Sequence, residues 1–201
     1  MKVLCSDHDH FTETNKARRL NHVKMNLTKA NSAHTTAIWE ILQQAIEQRR
    51  LDGSEQWQNG YPNEETVRAD INDEYGYVLN DNNVIIGYAA IIFGVEPAYT
   101  DITGQWLTSG DYAAVHRVAI SDSMKGKGVA TKLFKLIEEL VVAKDVFSIK
   151  VDTNFDNTPM LRILDKLDYQ YCGEIFFGGA PRKAFEKVLP KPAIENLSGK
   201  E

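Results

Sequence analysis

The chain has little of what marks several large classes of protein. Only two cysteines, Cys5 and Cys172, occur among its 201 residues, and so distant a pair frames no disulfide-rich secreted scaffold. No apolar run approaches the roughly 20 residues that a membrane-spanning helix needs, and the first residues show no charged-then-apolar leader pattern. These absences predict a protein of the reducing cytoplasm that has no membrane partner.

Positive charge and metal ligands are also scarce. The 23 Lys and Arg residues are outnumbered by 28 Asp and Glu, a net charge of -5, which argues against a basic surface for nucleic acid. Cys5, His8 and His10 lack a fourth ligand at useful spacing, so we expect no metal site. We predict a polar extension over residues 1–24, one folded domain over 25–189 and a polar tail over 190–201.

The order of predicted elements indicates an α/β domain with a mixed sheet. A short strand near residues 25–29 is followed by two helices, over 32–48 and 64–73. Strands over 75–80 and 84–94 form a hairpin, a loop over 95–111 has Trp106 as its expected anchor, and a strand over 112–120 completes the meander. A helix from Val129, a strand over 146–151, a helix after Asn157 or Thr158 and two final strands, 169–177 and 182–189, complete the order.

The strand over 112–120 runs through a glycine-containing turn into an apolar-periodic helix. The first N–H groups of a helix have no acceptor within it, and the helix dipole places about half a positive charge there. Glycines at 126 and 128 let a phosphate approach those N–H groups closely, and Lys125 and Lys127 add positive charge. The segment therefore predicts a site for a pyrophosphate, although it fits neither the dinucleotide fingerprint nor the P-loop.

The turn resembles motif A of the GNAT-type N-acetyltransferases, written Q/R-x-x-G-x-G/A. Here it reads K-G-K-G-V-A from Lys125 to Ala130, with Lys125 where the family usually has Arg or Gln. In that family the turn cradles the pyrophosphate of acetyl-CoA. The element order from about Met25 to Leu189 is that of the same family, so the resemblance implies a single-domain fold with a mixed central sheet flanked by helices.

A second motif follows about thirty residues downstream. The family's N-x-x-A-x-x-L-Y-x-K-x-G-F segment is matched in part by residues 157–169, with Leu164 at the Tyr position. The resemblance implies an acetyl-CoA-dependent N-acetyltransferase acting on a primary amine of a small molecule or peptide, in which homodimers are frequent. It assigns the coenzyme to Val118, Ile120, Lys125, Gly126, Lys127, Gly128, Val129, Ala130, Thr131 and Asn157, and it makes Trp57 and Tyr61 candidate acceptor contacts.

The catalytic groups are harder to assign. The family often places a carboxylate on the strand that enters motif A, but this strand carries His116 instead, and an imidazole is a suitable base near neutral pH. Leu164 cannot serve as the acid, so Tyr169, Tyr171 and Cys172 on the following strand are the candidates. Because the motif Tyr and the strand carboxylate are both missing, a non-catalytic acyl-CoA-binding module is the alternative.

Overall fold

The computed structural model describes residues 25–191. The predicted extension over 1–24, with Cys5, His8 and His10, lies outside the described residues, as does the tail from 192 onward. The strands are β1 Asn26–Lys29, β2 Gly76–Asp81, β3 Val84–Phe93, β4 Thr103–Gly104, β5 Ala113–Ile120, β6 Ser148–Thr153, β7 Gln170–Phe177 and β8 Ala180–Val188. The helices are α1 Thr35–Leu51, α2 Glu64–Asn72, α3 Val129–Val142 and α4 Thr158–Lys166.

One mixed sheet of eight strands, in the order β1-β2-β3-β5-β6-β8-β7-β4, forms the centre of the domain. The largest buried cluster joins the apolar face of α3 to this sheet and includes Leu133, Phe134 and Ile137, none of which has exposed surface. A second cluster contains Ile38 and Leu42 of α1, which pack together with α2. The predicted α/β architecture with a mixed sheet is confirmed. No helix within residues 25–191 is long and apolar enough to cross a membrane.

Side-chain caps set where the helices begin. Asn31 Oδ1 accepts from Ala33 N at 3.0 Å and starts a 3₁₀ turn, Ser32–His34, that leads into α1. Asn157 Oδ1 accepts from Met160 N at 3.3 Å and starts α4. Such caps satisfy N–H groups that have no partner inside the helix, so both predicted starts agree with local chemistry. The first helix extends to Leu51 rather than ending at Gln48.

The segment over 95–111 is more ordered than the loop that its sequence predicts. It contains a 3₁₀ turn, Pro97–Tyr99, and the two-residue strand β4, which pairs with β7 at the sheet edge. A Cβ on Gly104 would lie 2.2 Å from the Cys172 carbonyl oxygen, so this close approach requires glycine. Trp106 does anchor the segment, because its Nε1 donates to the Tyr99 carbonyl at 2.9 Å.

A buried carboxylate holds the same segment against the last strand pair. Glu186 of β8 has no exposed surface. It accepts hydrogen bonds from Leu107 N at 2.6 Å, Thr108 Oγ1 at 2.5 Å and Ser148 Oγ at 2.7 Å. The anion is thus fully satisfied by donors from the segment and from β6, and it fixes the position of residues 95–111 over the sheet.

Candidate active site

Strands β5 and β6 separate part-way along the sheet. They pair in parallel only at Ala113↔Ile149, Ala114↔Lys150 and Val115↔Val151, whereas β5 continues to Ile120. A cavity of about 520 Å³ lies beyond the last pair, bounded by the end of α1, the end of β5, the turn before α3 and the start of α4. All of the predicted coenzyme residues except Lys127 line it: Val118, Ile120, Lys125, Gly126, Gly128, Val129, Ala130, Thr131 and Asn157.

The glycine turn presents backbone rather than side chains to this cavity. Gly126 and Gly128 have φ angles of 74° and 75°, in the left-handed region that glycine tolerates best. A Cβ built on either residue would meet no atom within 4 Å, so open space faces both. Gly128 is also the residue before α3 and has no side chain to cap it. The first N–H groups of α3 are therefore left for an acceptor from outside the helix.

The two lysines of the turn differ in their surroundings. Lys125 forms an ion pair with Asp122, and its Nζ lies 3.4 Å from Gln48 Oε1 at the cavity wall. Lys127 is exposed and does not line the cavity. Lys125 thus lies at the cavity with its charge partly offset by Asp122, while Lys127 can act there only through the longer-range field.

Arg49, in the last turn of α1, is a cavity residue that the sequence analysis missed. Its side chain is only 8% exposed, and Nη2 pairs with Asp52 at the cavity wall. Its Nη1 has no hydrogen-bond partner among residues 25–191. A buried guanidinium nitrogen without a partner is costly, so Arg49 offers a donor to an oxygen atom of a ligand in this cavity. In the sequence it stands among other polar residues of a helix end, and nothing distinguishes it.

A smaller cavity of about 50 Å³ adjoins the first. Four residues line both, namely Trp57, Val118, Asn157 and Met160. Trp57 and Tyr61, the predicted acceptor contacts, both line the smaller cavity, as does His116. The predicted donor and acceptor residues are therefore brought together in two neighbouring cavities that meet at Val118.

His116 lies between two carboxylates. Its Nδ1 is 3.5 Å from Asp152 Oδ1, and its Nε2 is 3.2 Å from Glu96 Oε2. The second contact is close but its angle does not allow a hydrogen bond, so Nε2 has no such partner among the described residues. Contact with the imidazole nevertheless holds the pKa of Glu96 below its ordinary value. The carboxylate absent from β5 itself is thus supplied by two neighbouring segments.

Asp152, at the end of β6, connects His116 to two further side chains. Its Oδ1 accepts from the Tyr99 hydroxyl at 2.8 Å, and its Oδ2 lies 3.6 Å from Arg182 Nη1. Burial raises the pKa of Tyr99 well above its usual range, so this phenol stays protonated as a donor. Asp152 is therefore shared among a phenol, an imidazole and a guanidinium. The sequence predicts no role for Asp152, Glu96 or Arg182.

Arg117, the residue after His116, lines the same smaller cavity and forms an ion pair with Asp70. It has a φ of 53° and marks a bulge where β5 shifts register against β3. Its Nε and Nη2 donate to Asp70 at 2.8 and 2.5 Å, and its Nη1 donates to the Tyr61 hydroxyl at 2.5 Å. Arg117 thereby holds Tyr61 at the wall of the smaller cavity.

The candidates for the general acid lie elsewhere. Tyr169 is buried in the main core against Phe134, with ring centroids 5.7 Å apart. Cys172 is buried on β7, and burial raises the pKa of its thiol. Tyr171, also on β7, is exposed. None of the three lines either cavity. The structure therefore argues against all three as the acid, and Leu164, with no exposed surface, offers no substitute.

The model of the acetyltransferase (GNAT) family matches residues 37–169 of the chain. The chain belongs to the GNAT family. Among solved structures, a GNAT acetyltransferase from Streptococcus agalactiae is 33% identical with a TM-score of 0.76, and the match covers 83% of this chain and 96% of that one. None of the curated proteins matches.

More distant GNAT structures agree with this fold. A putative acetyltransferase from Staphylococcus aureus is 24% identical with a TM-score of 0.62, over 82% of this chain and 99% of that one. A GNAT acetyltransferase from Listeria monocytogenes is 16% identical with a TM-score of 0.67, over 82% and 95%. At these identities the likeness shows the fold alone. The family match includes the glycine turn, His116 and Asp152, but it ends before Arg182.

Proposed function

We propose that this GNAT protein is an acetyl-CoA-dependent N-acetyltransferase in which a primary amine attacks the thioester directly. The observation that carries the proposal is the pair of cavities that meet at Val118. One has uncapped helix N–H groups and the open edge of β5, while the other has an imidazole between two carboxylates. Both reactants could therefore be held side by side, which direct transfer requires.

The residues of the larger cavity fit the coenzyme. The backbone of residues 126–131, with Lys125 beside it, suits a pyrophosphate. The unpaired edge of β5 at Val118 and Ile120 could pair with the amides of the pantetheine arm as a strand would. Asn157 lies on the other side of the opening, and Arg49 Nη1 supplies one further donor. When bound there, acetyl-CoA would supply an activated acetyl group.

His116 is the proposed base. An alkyl amine with a pKa near 10.4 is only about 0.04% neutral at pH 7, a deficit of about 4.6 kcal/mol, so the proton has to be removed. Asp152 faces Nδ1 and orients the ring, which leaves Nε2 to receive the proton beside Glu96. Because all three groups are largely buried, their positions are fixed by packing as well as by charge.

Val118 follows the bulge in β5, where the regular ladder is interrupted, and its backbone N–H is the proposed donor to the acetyl carbonyl. No assigned side chain protonates the leaving thiolate. A thiol with an ordinary pKa of about 8.5 leaves readily near neutral pH, so the chemistry does not depend on the absent tyrosine.

The test is thiol release from acetyl-CoA across a broad panel of amines and peptides. We expect amine-dependent release that falls at least about 100-fold in His116→Ala, since general-base catalysis contributes that much or more. An unchanged rate and pH profile in this variant would remove His116 from the mechanism.

A non-catalytic acyl-CoA-binding module is the second candidate, favoured by the burial of Leu164 at the motif Tyr position. Coenzyme binding without release by any amine would support it. The cytoplasmic location and the homodimer remain predictions.

A further inference from the structure

Unpaired buried polar atoms cluster around the smaller cavity. Within residues 25–191 four side-chain atoms there are buried without a hydrogen-bond partner: His116 Nε2, Thr153 Oγ1, Asn154 Oδ1 and Arg182 Nε. His116, Thr153 and Arg182 line the cavity, and Asn154 follows Thr153 in the chain. Both donors and acceptors are represented, and each is costly to bury unpaired. The set therefore indicates a ligand that carries groups of both kinds.

Arg182 has no role in the acetyl transfer described above, yet its guanidinium is held in place at the cavity. Its side chain is 12% exposed, and its Cζ lies 5.3 Å from the centre of the Phe177 ring. The contact with Asp152 is long, at 3.6 Å, and Nε has no partner among the described residues. A planar guanidinium with free donors matches a carboxylate, which accepts two parallel hydrogen bonds.

An acceptor that carries an anion completes the charges around the smaller cavity. Asp152 accepts from Tyr99 at 2.8 Å and faces His116 at 3.5 Å, and Glu96 lies 3.2 Å from His116 on the other side. An amine at His116 therefore meets two carboxylates, whereas the Arg182 cation has only the long contact with Asp152 to offset its charge. An acceptor that brings its own anion would neutralise Arg182 and leave the carboxylates free for the amine.

The size of the smaller cavity limits how far apart the anion and the amine can be. His116 and Arg182 both line this cavity, which is only about 50 Å³, and both lie beside the Asp152 carboxylate. An acceptor that reaches both residues there is therefore short, with its amine and its carboxylate on the same or adjacent carbons. This is the arrangement of an α-amino acid, while a peptide N-terminus, a polyamine or an amino sugar lacks it.

Resting on the proposed function, we infer that the acceptor is a free amino acid, whose carboxylate binds Arg182 and whose amine faces His116. The transfer forms an amide N–C bond and breaks the thioester C–S bond. The amine proton passes to His116, and coenzyme A leaves as the thiolate. Arg182 is thus a specificity-determining residue that contacts substrate and lies beyond the range matched by the family model.

The experiment measures kcat/KM for thiol release from acetyl-CoA with matched acceptors. Each of the twenty common amino acids is compared with its amide, and leucine also with 3-methylbutylamine, its decarboxylated analogue. Spermidine and an alanine-initiated tripeptide complete the panel. We expect kcat/KM for at least one free amino acid to exceed that for its amide by about 10- to 100-fold, which is the contribution of one charge-assisted hydrogen-bonded pair. This comparison uses the wild-type protein and depends on no variant folding.

Variants then identify the residue responsible. We expect Arg182→Met to lower kcat/KM for the preferred acid about 10- to 100-fold, mainly through KM, and to change the rate with its amide less than about threefold. Arg182→Lys should restore part of the loss. Arg68→Met, at a site that is 62% exposed on α2, is the control and should match wild type.

Three results would overturn the inference. If amides, spermidine or the tripeptide were acetylated as well as or better than every free acid, the acceptor class would be wrong while the acetyltransferase proposal stood. If Arg182→Met lowered the rates with the amino acid and with its amide equally, Arg182 would not bind the substrate carboxylate. No release with any member of the panel would overturn both proposals together.

Discussion

Replacing Gly128 by Glu is the sharpest perturbation of the coenzyme site. Gly128 has a φ of 75°, and no atom lies within 4 Å of a Cβ built there. The added side chain therefore meets no steric clash, and the cost to folding is the roughly 1–2 kcal/mol of a non-glycine residue in a left-handed conformation. A domain of this size tolerates such a loss.

The cost to binding is larger. A carboxylate about 5 Å from one phosphate charge, at an effective dielectric of about 20, is repelled by roughly 3 kcal/mol. Since 1.4 kcal/mol corresponds to a factor of ten, we expect coenzyme A to bind Gly128→Glu at least about 100-fold more weakly. Titration calorimetry measures the affinity, and circular dichroism with thermal unfolding checks the fold.

Two controls separate charge from backbone strain. Gly128→Asn introduces a neutral residue that tolerates the left-handed region. The affinity of this variant for coenzyme A should therefore fall less than about tenfold. Gly179→Glu adds the same charge at a φ of 82°, also with open space around the Cβ, in the turn between β7 and β8. If Gly128→Glu bound coenzyme A as tightly as Gly179→Glu, the pyrophosphate would not lie at this turn.

Three further predictions concern buried charges. Arg49→Met should weaken the binding of coenzyme A about tenfold, because a charged hydrogen-bond donor is lost. Arg50→Met is the control and should bind as wild type does, since the Arg50 side chain is 60% exposed. Equal affinities of the two variants in calorimetry would contradict this prediction. Glu186→Gln should lower the free energy of unfolding, measured in urea, by about 3 kcal/mol. The reason is that an amide has one acceptor oxygen, whereas both oxygens of the Glu186 carboxylate accept hydrogen bonds. A urea midpoint equal to that of the wild-type protein would refute this prediction. The pKa of Glu96 is lowered in the fold, so its charged form stabilises the protein above the unfolded pKa of about 4.3 and loses this effect as pH falls. The stability difference between wild type and Glu96→Gln should therefore shrink below about pH 4, and a difference independent of pH would count against it.

Much of the fold could be predicted because local chemistry determines it. The apolar stripe of α3 is buried as its spacing indicates, with Leu133 and Ile137 in the main core. Asn82 and Asn83 take φ angles of 51° and 64°, the left-handed pair that a two-residue hairpin turn needs. The glycine turn likewise depends on adjacent residues, and its motif could be found in the sequence.

The acceptor side could not be predicted because distant segments form it. Glu96 lies in a stretch without periodicity, and contacts of that stretch with distant residues, such as Glu186 and Tyr112, bring it beside His116. Asp152 lies next to the end of a strand whose pattern indicates burial rather than chemistry, and Arg182 lies near the start of the last strand. No local signal links these positions. The hydroxyl of Tyr169 makes it a candidate acid in the sequence, but its neighbours in sequence do not reveal that it packs into the core.

A crystal structure with coenzyme A bound would show whether the glycine turn holds the pyrophosphate. The account predicts the pyrophosphate on the backbone N–H groups of residues 126–131 and the pantetheine arm along β5 at Val118 and Ile120. It also predicts the thiol at the boundary with the smaller cavity, on the side of His116. Coenzyme bound in another cleft, with the glycine turn making no phosphate contact, would contradict it.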